Sequence, residues 1–110
     1  MKYEQRDIVE ISFLFPDGNF KPHPALIVSN NELQLDEGFI YLALISSKSY
    51  NPQYCYELNN EMLTSPLQKK SYVKCQIIVG NIERDVIRKI SRVRKEYFDE
   101  IVEKIKSSIF

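Results

Sequence analysis

The first segment of the chain alternates apolar and polar side chains at every second position. On one side lie Ile8, Glu10 and Ser12, and on the other lie Val9, Ile11 and Phe13. This alternation predicts a half-buried β-strand, because successive side chains of a strand point to opposite faces of a sheet. A turn sequence, Pro-Asp-Gly-Asn at 16–19, separates this strand from the apolar run 25–28. The pattern therefore predicts an antiparallel hairpin.

Several later segments also have strand-like patterns. They are 39–45, 54–58, 71–79 and 89–93. The segment 39–45 is apolar on both faces, which predicts a central strand, whereas 71–79 alternates and should be half-buried. Turn residues are expected at 30–32 and at 36–38. Gly80-Asn81 is expected to end the strand 71–79. The loop between the strands 54–58 and 71–79 is expected to contain a helical turn at 60–63.

The last segment of the chain, 95–109, has the period of an α-helix. Its apolar side chains are Tyr97, Phe98, Ile101, Val102, Ile105 and Ile109. They form one stripe with a spacing of about 3.6 residues, which predicts a helix packed by that stripe against the sheet. Short antiparallel strands followed by a terminal helix predict an α+β fold that is mostly β. A small SH3-like antiparallel barrel with a C-terminal helix is the expected architecture, and periodicity alone leaves other α+β folds open.

Composition narrows the class of protein further. The chain has 110 residues and 44% hydrophobic content, which predicts one domain over 1–110 with a real core. Its 15 basic and 15 acidic residues balance, which argues against a dedicated nucleic-acid coat protein but allows a local basic groove. No apolar run approaches the ~20 residues of a membrane span, and residues 1–7 lack a signal segment, so a cytoplasmic location is expected. Cys55 and Cys75 lack metal-type spacing and are expected to be buried.

Three motifs occur in an order and spacing that resemble the PemK/MazF family, the toxin halves of bacterial toxin–antitoxin pairs. The first is the opening strand 6–13, Arg-Asp-Ile-Val-Glu-Ile-Ser-Phe. The second is 21–29, Lys-Pro-His-Pro-Ala-Leu-Ile-Val-Ser, which is similar to the family's K.RPALV.S strand. The third is 65–75, Ser-Pro-Leu-Gln-Lys-Lys-Ser-Tyr-Val-Lys-Cys, which is similar to the family's GL.K.SYV.C pattern. The tail 82–109 also matches in length and pattern.

This resemblance implies a homodimeric barrel that cuts single-stranded RNA without a metal or other cofactor and that a cognate antitoxin protein neutralises. The RNA 2′-hydroxyl would attack the phosphate, leaving a 2′,3′-cyclic phosphate and a free 5′-hydroxyl. Such chemistry needs a base, an acid, and a cation or hydrogen-bond donor on the phosphoryl oxygens. The leading interpretation is therefore a toxin-type endoribonuclease of the mRNA interferase kind, with no membrane partner.

The resemblance predicts two catalytic residues. His23 stands where the family pattern has arginine, and it is the chain's only histidine. Its imidazole titrates near neutrality and can act as base or acid, which arginine cannot. Ser46 follows the strand 39–45 and matches the family's Thr/Ser position, where a hydroxyl can donate to a phosphate oxygen. The structural alternatives are a turn residue between two prolines for His23 and a strand-end cap for Ser46.

Other residues are predicted to bind RNA. They are Lys21, Lys48, Lys74 and Gln76. Lys21 matches a family lysine, whereas Gln76 stands where the family often has an acidic residue and Val79 where it often has arginine. A basic cluster later in the chain could attract phosphates or simply be solvated. Its members are Arg84, Arg88, Lys89, Arg92, Arg94 and Lys95.

Two other interpretations remain open. The first is a PemK-like barrel that has lost catalysis and acts as an RNA- or protein-binding module. The departures at Gln76, Ile77 and Val79 from the family's acidic residue, glutamine and arginine favour it, because two polar or charged groups that could face RNA are absent there. The second is an SH3-like domain of unrelated role that docks a peptide on a tyrosine-rich face.

Overall fold

Antiparallel strands and helices make up the computed structural model, which describes residues 2–110. The strands are β1 (Asp7–Leu14), β2 (Phe20–Ile27), β3 (Phe39–Ser46), β4 (Cys55–Leu58), β5 (Ser71–Ile82) and β6 (Val86–Arg92). The α-helices are α1 (Asn31–Glu37) and α2 (Lys95–Ile109), and short 3-10 turns lie at Pro52–Tyr54, Asn60–Met62 and Glu83–Asp85. Within residues 2–110, no helix is long and apolar enough to span a membrane.

The sheet has the strand order β4-β5-β3-β2-β1-β6, so the first strand of the chain pairs with the last. The edge strands β4 and β6 are linked only indirectly, through an isolated bridge between Leu63 and Val93. The Thr64 and Arg94 amides flank this bridge with backbone hydrogen bonds of 2.9 and 2.8 Å. The mostly β fold with a C-terminal helix is confirmed, but the sheet does not close into the expected barrel. Closure stops at the bridge because β4 has only 4 residues and leads into a 3-10 turn.

Apolar side chains cover both faces of the sheet. One cluster packs against α2 and includes Ile8, Leu26, Val73, Phe98 and Ile101. The other cluster includes Tyr3, Val9, Ile11, Ile27 and Leu42. The clusters lie on opposite faces, because the adjacent residues Ile8 and Val9 belong to different ones. β3 contributes to both clusters, which confirms its predicted central position.

The segment between β2 and β3 contains a helix that the turn pattern did not predict. Asn30 caps α1, because its side-chain oxygen accepts a hydrogen bond from Leu33 N at 2.8 Å. Gly38 ends the helix with a φ of 71°, and its N–H donates to Gln34 O at 2.9 Å. The expected turn residues at 30–32 and 36–38 are therefore the two ends of a short helix.

β5 continues through Gly80, where the sequence predicted a break. Gly80 pairs with Tyr41 of β3. The Tyr41 ring lies so close that a Cβ on residue 80 would be 3.3 Å from the ring carbon Cε1. The glycine therefore permits close packing of the ring instead of ending the strand, and the prediction of a break was wrong.

Prolines in β2 explain why two neighbouring strands separate. β2 pairs with β1 along Phe20–Leu26, but its pairing with β3 extends only over Ala25–Ile27. Pro22 and Pro24 lack the N–H groups that a second ladder would need. β2 and β3 therefore part near Ser46, the last residue of β3, and a cavity opens where they part.

Candidate active site

A cavity of about 480 Å³ opens at this end of the sheet. Its walls come from five strands, from the loop before β5 and from the first residue after β3. The lining residues are Glu10 of β1, His23 and Pro24 of β2, Ile45 and Ser46 of β3, Ser47, Pro66–Lys69, Ser71 of β5, and Arg88 and Ile90 of β6. The structure thus brings together the two predicted catalytic residues, which lie far apart in the sequence.

His23 lies half-buried beside two aromatic rings. The centroids of the Phe13 and Phe15 rings are each 5.7 Å from the imidazole centroid. Burial lowers the pKa of His23 below its usual 6.5, and the Ile45 carbonyl opposes this shift only in part. The imidazole is therefore mostly neutral at physiological pH, the state in which it accepts a proton.

Ser46 combines a structural contact with a free donor. Its Oγ accepts a hydrogen bond from the Lys48 N–H at 3.0 Å, as a strand-end serine commonly does. A hydroxyl has one O–H donor in addition to its acceptor lone pairs. Ser46 can therefore hold the start of the β3–β4 loop and still donate to a ligand in the cavity.

An ion pair that spans two strands forms another part of the wall. Glu10 and Arg88 are register partners on β1 and β6, and Arg88 Nε donates to Glu10 Oε1 at 2.9 Å. The carboxylate side chain is 25% exposed and the guanidinium 63% exposed. The pair therefore sits at the boundary between the cavity and solvent.

Lys21 and Lys48 lie on the surface and do not line the cavity. The Lys21 ammonium is 3.4 Å from Asp17 Oδ2 and 5.5 Å from the centroid of the Phe15 ring. Because that ring also borders His23, Lys21 lies on the His23 side of the site. Lys48 follows Ser46 closely and is exposed in the β3–β4 loop.

Lys74 and Gln76, two of the residues predicted to bind RNA, lie away from the cavity. Lys74 is 7% exposed, and its Nζ donates to Tyr50 O at 2.6 Å and contacts Cys55 Sγ at 3.3 Å. Gln76 is half-buried, and within residues 2–110 its Oε1 has no hydrogen-bond partner. Neither residue lines the cavity, so both are left out of the RNA site proposed below.

The basic cluster near the C-terminus is largely neutralised by partners. Arg84 pairs with Asp85, Arg88 with Glu10, Lys89 and Arg92 with Asp7, Arg94 with the Glu61 carbonyl, and Lys95 with Asp99. Of the basic residues in this cluster, only Arg88 lines the cavity. Apart from Arg94, whose partner is a backbone carbonyl, the members of the cluster are held in ion pairs with acidic side chains, so the cluster is not one phosphate-binding patch.

Sequence reasoning assigned no site role to Glu10, and it named Arg88 and Lys69 only among basic residues that could attract phosphates or be solvated. Glu10 appeared only as a polar position of an alternating strand, and Arg88 as one of several basic residues. Their meeting depends on the pairing of β1 with β6, which joins segments 78 residues apart in the chain. No local pattern predicts that pairing, so no sequence signal identified the pair.

Comparisons with known proteins assign a chain with this fold and cavity to a family. A family model described as "PemK-like, MazF-like toxin of type II toxin-antitoxin system" matches residues 4–109. The chain belongs to this family, which confirms the resemblance seen in its motifs. A search of the curated proteins finds no match.

Solved structures with the same fold include toxins from several bacteria. An endoribonuclease from a mycobacterial species, solved with its cognate antitoxin, has a TM-score of 0.79 and 13% identity, covering 96% of this chain and 93% of that one. A MazE–MazF complex from Deinococcus radiodurans has a TM-score of 0.78 and 14% identity, covering 97% and 95%. The Mycobacterium tuberculosis toxin MazF-mt6 has a TM-score of 0.75 and 17% identity, covering 94% and 95%. At such low identity, these similarities establish the fold alone.

Proposed function

We propose that this chain is a toxin-type endoribonuclease that cuts single-stranded RNA without a metal ion. One observation carries the proposal: the imidazole of His23 and the hydroxyl of Ser46 line one cavity, although 22 residues separate His23 from Ser46 along the chain. A neutral imidazole and a hydroxyl donor are two of the groups that attack by a 2′-hydroxyl requires. Family membership supports the same reaction.

In this mechanism His23 is the general base. Its neutral imidazole takes the proton of the RNA 2′-hydroxyl while the 2′-oxygen forms a bond to phosphorus. The bond from phosphorus to the 5′-oxygen then breaks, and that oxygen takes a proton from water. The imidazolium returns its proton to solvent, so the products are a 2′,3′-cyclic phosphate and a 5′-hydroxyl. Burial favours this role, because it keeps His23 neutral before the reaction.

Ser46 and the surface lysines act on the phosphate and the flanking chain. The Ser46 hydroxyl donates a hydrogen bond to a non-bridging phosphoryl oxygen, where negative charge increases in the transition state. Lys21 and Lys48 attract the RNA backbone on either side of the cavity. The ammonium of Lys21 would exchange its partner Asp17 for a phosphate, which exposure makes inexpensive.

The proposal extends to partners. The mycobacterial and Deinococcus relatives were solved with antitoxins, and we infer that an antitoxin neutralises this chain by covering its RNA site. We also infer a homodimer that acts in the cytoplasm, where its RNA substrate is found. Light scattering on the purified protein and co-expression with the products of adjacent genes test these inferences.

The direct test is cleavage of a long single-stranded RNA in EDTA, with the cut ends mapped. We expect cuts at defined sites that leave cyclic phosphates. Replacing His23 with alanine should slow cleavage by about 100- to 10,000-fold, the usual contribution of a general base. Ser46→Ala should slow it less. Ser49→Ala is the matched control, because Ser49 is exposed in the same loop and does not line the cavity.

Two results would contradict the proposal. Cleavage that is unchanged in His23→Ala would mean that the site is elsewhere. Absence of cleavage, with RNA binding retained by the folded protein, would favour the non-catalytic binding module instead. The placement of Lys74 and Gln76 away from the cavity is the observation that keeps this second function under consideration.

A further inference from the structure

The cavity holds a charged pair that the mechanism above does not use. Glu10 and Arg88 face each other across β1 and β6, and both line the same cavity as His23 and Ser46. Arg88 Nε is held by Glu10 Oε1 at 2.9 Å. Among residues 2–110, the two η nitrogens of Arg88 have no hydrogen-bond partner. One edge of the guanidinium is therefore fixed, and its remaining donors are available to a ligand.

The reaction needs a positive charge that His23 and Ser46 do not supply. The imidazole is mostly neutral before the reaction, and a hydroxyl carries no charge. The attacked phosphodiester is an anion whose charge becomes concentrated on its non-bridging oxygens in the transition state. A fixed cation in the cavity would stabilise that charge more than a mobile one, because it needs no reorganisation.

Two cations line the cavity, and their settings differ although both side chains are exposed. Lys69 lies in the loop before β5. Arg88 lies on a strand, its neighbours are held by the β1–β6 ladder, and Glu10 fixes its orientation. A guanidinium also offers planar, paired donors that match phosphate oxygens, whereas an ammonium acts as a point charge. The comparison favours Arg88 as the phosphate ligand.

We propose that Arg88 is a further catalytic residue that binds the attacked phosphate, and that Glu10 is its positioning residue. This inference rests on the proposed function. Arg88 keeps its Nε contact with Glu10 and donates from its η nitrogens to a non-bridging oxygen. The proton and bond changes remain those given above, since Arg88 stays protonated throughout.

The experiment compares Arg88→Gln with Arg84→Gln. Arg84→Gln removes the same charge, but Arg84 is exposed, has Asp85 as its one ion-pair partner among residues 2–110 and does not line the cavity. The probes are a short RNA that contains a mapped cleavage site and the same RNA with a 2′-O-methyl group at that site. Single-turnover cleavage is measured on the first, and the dependence of affinity on salt is measured on the second.

We expect Arg88→Gln to slow cleavage by about 100-fold or more, as loss of one oxyanion donor does. The slope of log affinity against log salt should fall by about 0.7, which corresponds to one lost phosphate contact on a single strand. Arg84→Gln should leave the rate unchanged. Arg88→Lys should restore most of the salt slope but only part of the rate, because lysine lacks the paired donors.

The role of Glu10 is tested by a double-mutant cycle. Glu10→Gln should slow cleavage while it preserves the salt slope, because the guanidinium charge remains. In the Arg88→Gln background the same change should have little further effect, since a positioning residue has nothing left to position. Independent, additive losses would overturn the positioning role. Thermal unfolding of each variant confirms that it is folded.

The outcomes separate this inference from the proposed function. If the wild-type protein cleaves RNA and the Arg88 and Arg84 variants behave alike, the role of Arg88 is overturned and the proposed function stands. If the wild-type protein only binds RNA, the salt slope is measured on the long single-stranded RNA instead. A slope that still depends on Arg88 would then overturn the nuclease proposal and the catalytic role of Arg88, and support only its phosphate contact. If the folded protein neither binds nor cleaves RNA, both are overturned.

Discussion

Two carboxylates on the same strand pair, Asp7 and Glu10, belong to ion pairs that differ in burial. Asp7 is 2% exposed, and its oxygens accept hydrogen bonds from Arg92 Nη1 at 2.7 Å and from the Glu4 N–H at 2.9 Å. Lys89 Nζ lies 3.2 Å from Asp7 Oδ1 and forms an ion pair with it. The acceptor sites of Asp7 are thus shared among two cations and a backbone amide. Such a carboxylate has no capacity left for a substrate.

Glu10 lies three positions further along β1 and is surrounded differently. Within residues 2–110, it has one hydrogen-bonded partner, Arg88, and that partner is 63% exposed. Glu10 borders the open cavity, whereas neighbouring side chains cover Asp7. The chemical groups at the two sites are similar, so sequence composition does not separate them. The two carboxylates differ in the number of donors that contact them and in their access to solvent.

Removing the buried carboxylate of Asp7 is the strongest test of the difference between the two ion pairs. Asp7→Ala should lower the free energy of unfolding by about 3 kcal/mol, because it leaves two cations and an amide without their shared acceptor. Urea unfolding followed by circular dichroism measures the change. Asp85→Ala removes an exposed carboxylate near the same strand and should cost less than about 1 kcal/mol. Equal effects in the two variants would mean that the Asp7 cluster is not structural.

The pH dependence of cleavage gives an effect of intermediate size. His23 acts when it is neutral, and its pKa lies below 6.5, so the rate should stay level as the pH falls to that value. Below the lowered pKa the rate should fall about tenfold per pH unit, as the neutral fraction does. Single-turnover rates measured across the acid range locate this limb. A limb centred above 6.5 would contradict the neutral-base role.

The same titration affects stability. The unfolded chain has an ordinary histidine and takes up a proton first as the pH falls, so the folded state should lose stability below about pH 6.5. The loss should level off below the lowered pKa, where both states are protonated. His23→Gln removes this component and serves as the control in unfolding experiments at several pH values.

The smallest change in the free energy of unfolding is expected when Glu10, the carboxylate that lines the cavity, is replaced. Glu10→Gln should change the free energy of unfolding by less than about 1 kcal/mol, because its partner Arg88 is mostly exposed to solvent. The same urea experiment as for Asp7→Ala measures it. A loss as large as that of Asp7→Ala would show that the Glu10–Arg88 pair mainly supports the fold.

Much of the fold could be predicted because strong periodicity has one structural meaning. The stripe of α2 and the apolar run of β3 were placed correctly, as was the helical turn near Asn60–Met62. The errors came from residues with two uses. Asn30 and Gly38 favour turns but also cap helices, and Gly80 breaks strands but also admits a ring. Only the tertiary neighbours decide between these uses.

The candidate site was less predictable, because it depends on pairings between distant segments. Motif resemblance identified His23 and Ser46, whose positions in the cavity agree with a shared role. Positive charge selected Lys74, whose burial beside Tyr50 and Cys55 follows from the packing of β4 on β5. Glu10 and Arg88 lie within the matching segments 6–13 and 82–109, but the resemblance assigned neither of them a catalytic role. A lysine's exposure and a carboxylate's partners are properties of the fold, and sequence spacing does not encode them locally.

The prolines that separate β2 from β3 also affect whether β2 can pair with a strand of another molecule. At Pro22 and Pro24 the side of β2 that faces the gap lacks amide donors, so a strand from another molecule cannot add there with a full ladder. An opening in a sheet usually exposes a template for aggregation. Here the residues that create the opening also prevent its edge from recruiting further strands, so the protein can keep an accessible cavity at high concentration without polymerising through it.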